Sequence, residues 1–178
     1  MMEAMHSTPK YQSLDALNWN APAFLVLTQS ADSALAQQLE LRLQPHQKLQ
    51  VLSLPDAADE SFAHFCNQVQ ASLQQAKAGM HTVICGDESF MWMMQQCAVR
   101  SGSLKEEISL LLEGGIRQAQ MKKVYCVHCG HTQKTSADDF CACANCQVEL
   151  LIRSHFSERL GAYMGVCANA HQPMGAAS

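Results

Sequence analysis

Apolar positions fall into two alternating patterns along the first two thirds of the chain. Phe24-Leu25-Val26-Leu27 is an unbroken apolar run entered from Ala23, which predicts a short strand buried on both faces. Gln29-Ser30 turns the chain, and Leu35, Leu39 and Leu43 then recur at four-residue spacing, one face of a helix that Pro45 stops. Leu49, Val51 and Leu52 form a second strand closed by Pro55. Phe62, Phe65, Val69, Leu73 and Ala76 trace a second helix, with Asp59 and Glu60 at its positive end and Gly79 as its expected C-terminal cap. Thr82-Val83-Ile84-Cys85 is a third strand. Gly86-Asp87 opens a third helix through Phe90, Met93, Met94 and Cys97 to Gly102, and Ile108 to Leu112 is a fourth strand. Strand and helix in alternation predict right-handed crossovers and a small Rossmann-like parallel sheet with flanking helices, an α/β fold.

The pattern stops at Gly114-Gly115. Residues 116–123, with Arg117, Lys122 and Lys123, read as a linker, and from Val124 the composition shifts to Cys, His and short strands. The expected organisation is a flexible arm over 1–20, where Ser, Thr, Pro, Gln and Asn show little periodicity, an α/β domain over 21–120, a zinc-ribbon-like module over 121–166 and a tail over 167–178. A chain of 178 residues allows that division of one full domain plus a small module.

Apolar residues make up 48% and charged residues 16%, which excludes global disorder. Sixteen acidic against 12 basic side chains, a net charge of −4, argue against nucleic-acid binding by phosphate neutralisation. No apolar run approaches the roughly 18 residues of a membrane span. The polar start, Met1 to Gln12, lacks an apolar segment behind a basic one, so a cytoplasmic location with reduced thiols is expected.

Nine cysteines change the picture, because five of them fall between residues 126 and 146. Cys126-Val127-His128-Cys129 and Cys143-Ala144-Asn145-Cys146 are two Cys-x-x-Cys pairs with 13 residues between them. Two residues between thiols let a tight turn aim both sulfurs at one ion, and two such turns complete a tetrahedral four-thiolate site. Cys126, Cys129, Cys143 and Cys146 are therefore the expected metal ligands. Zn2+ in a structural role comes first, on the short gap and the lack of an aromatic-rich shell. A mononuclear iron centre that carries electrons uses the same turns and is the alternative. Cys141, His128 and His131 are expected around the site or at the surface, and Cys167 is expected to be an ordinary thiol.

Tyr125-Cys126-Val127-His128-Cys129, Cys143-x-x-Cys146 and the string His155-Phe156-Ser157-Glu158-Arg159-Leu160-Gly161-Ala162-Tyr163-Met164-Gly165 resemble the C-terminal module of the DmmA-like subunit of bacterial dimethylamine monooxygenase, over about residues 122–166. Upstream, Ile84-Cys85-Gly86-Asp87 with Phe90-Met91, and Ser101-Gly102 before Glu106-Glu107-Ile108, are similar to the nicotinamide-binding half of ferredoxin-reductase-type flavoproteins. Asp87 stands where those proteins have Pro. The turn Thr28-Gln29-Ser30-Ala31-Asp32 has no glycine to let a pyrophosphate approach the backbone. The resemblance implies a subunit of a heteromeric oxygenase that demethylates dimethylamine with NAD(P)H and O2. Its haem, flavin and iron–sulfur groups would sit on haem-bearing and reductase partner subunits, which leaves this chain a structural or docking role without an active site of its own.

Four side chains are candidates for a partner interface. Arg159 and Tyr163 fall four apart, on one face if a short helix forms behind a strand from Val148 to Ile152, and His155 lies just before them. In Met91-Trp92-Met93-Met94, Met93 and Met94 are expected to face the sheet, which directs Met91 or Trp92 outward.

Overall fold

A computed structural model of the chain describes residues 9–55, 59–113, 121–136 and 138–170. It divides the chain into two compact units, the larger being Lys10–Gln118 and the smaller comprising the chain from Ala119 on. The Gly114-Gly115 break, Arg117 of the expected linker, residues 1–8 of the expected arm and the end of the tail from 171 lie outside the described residues, as do the side chains of Asp59 and Glu60.

The larger unit holds β1 (Ala23–Thr28), α1 (Ala34–Arg42), β2 (Lys48–Ser53), α2 (Asp59–Gln74), β3 (Met80–Gly86), α3 (Glu88–Arg100) and β4 (Ile108–Leu112). The four strands are all parallel, in the order β2-β1-β3-β4. Side chains alternate across a strand, so Phe24 and Val26 enter the core with α1, and Leu25 and Leu27 point to the opposite face. Chain direction along the sheet reverses after β2. Right-handed crossovers then put α2 and α3 together on one face, where Phe65 and Phe90 meet at 6.1 Å between ring centroids, and leave α1 alone on the other.

The bare part of the α1 face explains a difference from the sequence reading. From Tyr11 to Trp19 the expected flexible arm is anchored to the larger unit by its apolar and aromatic side chains. Leu14 and Leu17 are buried in the α1-side core with Val83, Cys85 and Leu111, and Trp19 packs against Phe24. The segment reaches the sheet edge through Gln12, whose amide donates to the Leu110 carbonyl of β4. On the α3 side, the Tyr11 hydroxyl bonds the Glu88 carboxylate and accepts from Trp92 Nε1 at 3.3 Å. Trp92 is 3% exposed and Met91 fully buried, so the expected outward-facing Trp92 is a core residue. Gly79 does not cap α2, which ends at Gln74. It adopts φ 89° in the turn into β3, where a side chain would press on Pro22.

The carboxyl ends of β1 and β3, where an open parallel sheet of this order usually receives a ligand, are bridged by the chain itself. Gln29 donates to Asp87 Oδ2 at 3.0 Å and accepts the Asp87 amide at 2.7 Å. Ser33 caps α1 through the Ala36 amide and bonds Glu113. A Cβ on Gly86 would lie 2.7 Å from Phe90 and 2.9 Å from Gln29. The glycine thus serves this closure.

His81 is buried on β3, 2.7 Å from the Ser109 hydroxyl of β4 and edge-on to Phe24. Burial lowers its pKa, against the opposing pull of Glu107. The folded state therefore prefers the neutral ring. Its contribution to stability is full above the unfolded value of about 6.5 and is lost as pH falls from there toward the lowered folded value. We expect the unfolding midpoint to drop between pH 7 and 5.5 more steeply in the parent chain than in His81→Gln, which keeps a partner for Ser109 without titrating. Parallel slopes in thermal melts would exclude this role.

The smaller unit is a five-stranded mixed sheet in the order β6-β5-β9-β8-β7. Its strands are β5 (Lys122–Cys126), β6 (Thr132–Thr135), β7 (Phe140–Ala142), β8 (Glu149–Ser157) and β9 (Ala162–Cys167). Lys122 and Lys123 belong to β5 and not to a linker. Cys167 ends β9, paired with Leu150, so the sheet runs past the expected start of the tail. Among the described residues, no helix is long and apolar enough to cross a membrane.

Candidate metal centre

The two Cys-x-x-Cys pairs form matching turns. In the first, the Gly130 amide donates to the Cys126 carbonyl at 2.9 Å and the Cys126 amide to the His131 carbonyl at 2.8 Å. In the second, Gln147 donates to Cys143 and Cys143 to Val148, both at 2.9 Å. The residue after each pair must swing to positive φ. Gly130 does so at 75°, and Gln147 at 61° is the one non-glycine there among the described residues. Such a non-glycine backbone costs about 1 kcal/mol or more.

The turns bring the sulfurs of Cys126, Cys129, Cys143 and Cys146 within 4.8 Å of one another. Cys126 and Cys146 are 3.8 Å apart, and Cys129 and Cys143 3.7 Å. Four sulfurs held about 2.3 Å from one ion in a tetrahedron stand about 3.8 Å apart, so the spacing fits a divalent ion with four thiolates and no open position. The thiols differ in acidity. The His131 amide, then the Asn145 side chain, bring Cys129 down to about 6. Cys146 is pushed up to about 12: the Val148 amide favours its thiolate, but burial and the contacts to Cys129, Cys143 and Cys126 outweigh it. A cation relieves that conflict by attracting all four sulfurs at once.

Cys141 is half-buried beside the cluster without joining it, and His128 and His131 are exposed. Cys167 donates to Asn169 at 3.0 Å. Elsewhere, Cys85 is a core thiol pushed up to about 12 by burial and by Glu113.

Residues 155–165 form a hairpin and not a short helix. His155 is exposed near the end of β8, beside an irregularity in the ladder between Ile152 and Phe156. Ser157 accepts the Leu160 and Gly161 amides, Arg159 is exposed in the turn, and Gly161 takes φ 58°. Tyr163 lies on β9, opposite Phe156, with ring centroids 5.0 Å apart. Arg159 and Tyr163 therefore share no helical face. Gly165 has a packing reason. A Cβ there would lie 2.8 Å from Val124, 3.0 Å from Leu150 and 3.3 Å from the Tyr125 carbonyl, in the centre of the module's core. Gly165→Ala should lower the module's stability by about 1–3 kcal/mol through overpacking. The loss should appear as faster amide exchange confined to β5, β8 and β9, and uniform protection would contradict it.

Two residues that hold the second turn, Gln133 and Gln147, escaped the sequence reading. Aligning the two Cys-x-x-Cys turns would have exposed Gln147, which stands where the first turn has Gly130. Gln133, on another strand, has no local signal.

Residues 123–166 match the family described as the C-terminal domain of dimethylamine monooxygenase subunit DmmA-like proteins. A solved phthalate dioxygenase reductase, a modular structure for electron transfer from pyridine nucleotides to [2Fe–2S], aligns at TM-score 0.42 and 12% identity over 67% of this chain and 45% of that one. The chain thus spans less than half of that reductase, and at this distance the likeness assigns nothing. A protein of Ectopseudomonas mendocina (strain ymp), the "Heme-dependent oxidative N-demethylase delta subunit", is 36% identical over 173 residues, 94% of this chain and 91% of that protein. That identity runs through both the parallel-sheet unit and the cysteine module, and the chain belongs to the DmmA-like family of heme-dependent oxidative N-demethylase delta subunits.

Proposed function

We propose that the chain is the delta-type subunit of a haem-dependent oxidative N-demethylase acting on dimethylamine. In this reading its role is structural or docking, and the haem, flavin and iron–sulfur chemistry belongs to haem-bearing and reductase partners. The observation that carries the reading is near full-length similarity to a relative named as such a subunit. Two features of the fold support a role without chemistry of its own. The carboxyl-end crevice is bridged by Gln29–Asp87, and the cysteine cluster has the spacing of a closed four-ligand site. Cys126, Cys129, Cys143 and Cys146 would hold Zn2+, which draws the two turns together and organises the 121–166 module that follows the 21–120 domain in the chain. The exposed His155 and Arg159, on the hairpin of β8 and β9, would offer that module's contact to a partner.

Affinity capture of the tagged chain from its native cells tests this reading. Haem-bearing and reductase chains should co-purify, with one zinc per copy of this chain. A chain recovered alone, from cells whose demethylation of dimethylamine is unaffected by its deletion, would overturn it. Iron in place of zinc, with visible absorption that bleaches on reduction, would make the cluster an electron carrier.

A further inference from the structure

The two turns of the cysteine cluster are unequally supported. The first joins β5 to β6 and has glycine at its positive-φ position. The second is entered from β7, an edge strand of three residues, and places Gln147 at that position. Besides its own backbone bonds and Gln147, the second turn is held by a side chain from the strand leaving the first. Gln133, on β6 opposite Val124, reaches across with its side-chain amide. Its Nε2 donates to the Ala142 carbonyl at 2.8 Å, and its Oε1 accepts the Ala144 amide at 2.6 Å. These are the peptide groups on either side of Cys143, the buried ligand of that turn. The same Nε2 lies 3.7 Å from Cys141 Sγ. One half-buried amide thus fixes the backbone before and after Cys143, with both of its polar atoms used.

We propose that Gln133 is a positioning residue that couples the two turns and sets how tightly the cluster retains its metal. This rests on the metal-holding reading of the four cysteines. A side chain that touches no metal acts here by keeping Cys143 aimed before the ion arrives and while it is bound. Groups around metal ligands typically alter affinity by about 10–100-fold in this way. Glutamate at this position keeps an acceptor for the Ala144 amide but turns an oxygen toward the Ala142 carbonyl, so it should not substitute.

The test uses the full-length protein loaded with zinc, challenged with a chelating dye that reports released metal. Gln133→Ala should release zinc about 10–100-fold faster than the parent. Gln133→Glu should also be faster, and Lys134→Ala, on the same strand but exposed, should match the parent. With Co2+ in place of zinc, the thiolate-to-metal absorption of Gln133→Ala should keep its intensity, because all four ligands remain. Release at the parent rate from Gln133→Ala and Gln133→Glu, with the parent holding one zinc, overturns this inference alone. A parent that holds no metal overturns the metal reading and this inference with it. If Gln133→Ala is not recovered folded, the comparison of Gln133→Glu with Lys134→Ala decides.

Discussion

Removing the metal from the full-length protein is expected to unfold the cysteine module while the parallel-sheet unit stays folded. The module's described buried apolar residues are Val124, Cys126, Cys143, Leu150, Ile152, Phe156 and Ala162, and two of these seven are proposed ligands. A unit of about 50 residues with so small a core falls well short of the roughly 70–80 residues at which a single core begins to suffice. Zinc binding in comparable modules contributes about 10–16 kcal/mol, far more than such a core can. The larger unit does not depend on it. Its core is continuous from Leu14 and Leu17 through Phe24, Val26, Leu39, Val83 and Leu111, and includes no cluster residue. Chelation should therefore abolish amide protection in β5, β8 and β9 and leave it intact in β1, β3 and β4. Cys143→Ser, which removes a fully buried ligand, should do the same without chelator. Protection that persists in β8 and β9 after chelation would show that the hairpin of Phe156, Tyr163 and Gly165 folds without metal.

Much of this architecture was legible in order along the chain, and the exceptions have physical causes. Strands buried on both faces must be apolar at most successive positions, so β1, β3 and the edge strand β4 announce themselves as short runs. Helices α1 and α2 follow from apolar positions at helical spacing. The segment from Tyr11 to Trp19 carries no period because it forms no long element. Its apolar residues fill the face that α2 and α3 leave uncovered, a vacancy set by strand order, which one chain's periodicity does not reveal. Residues 155–165 misled through the four-residue spacing of Arg159 and Tyr163. Gly161 marks a turn between them, and the Phe156–Tyr163 contact is cross-strand. At the cluster, the four cysteines are legible because ligand spacing is local. Gln133 is not, because its hydrogen bonds span the 9 and 11 residues to Ala142 and Ala144.

The same packing argument makes Trp92→Ala the other large effect. Had Trp92 pointed into solvent or toward a partner, its loss would leave this chain's own melting unchanged and weaken only an assembly. Instead the indole is enclosed, with its Nε1 donating to Tyr11 and Tyr11 in turn bonded to Glu88 at the start of α3. Truncation empties a large space in the core and removes a donor from a half-buried network. Comparable changes cost about 3–5 kcal/mol. For a unit of this size, that corresponds to a fall in Tm of more than about 10 °C. Trp92→Phe should lose much less, because it keeps most of the volume and forfeits only the Nε1 bond. Tyr11→Phe should isolate the hydroxyl's share, at about 1 kcal/mol. Thermal melts of the three variants should therefore rank Trp92→Ala far below Trp92→Phe, with Tyr11→Phe nearest the parent. An unchanged Tm for Trp92→Ala would restore Trp92 to the surface and leave the packed position of residues 10–20 without its main anchor on the α3 side.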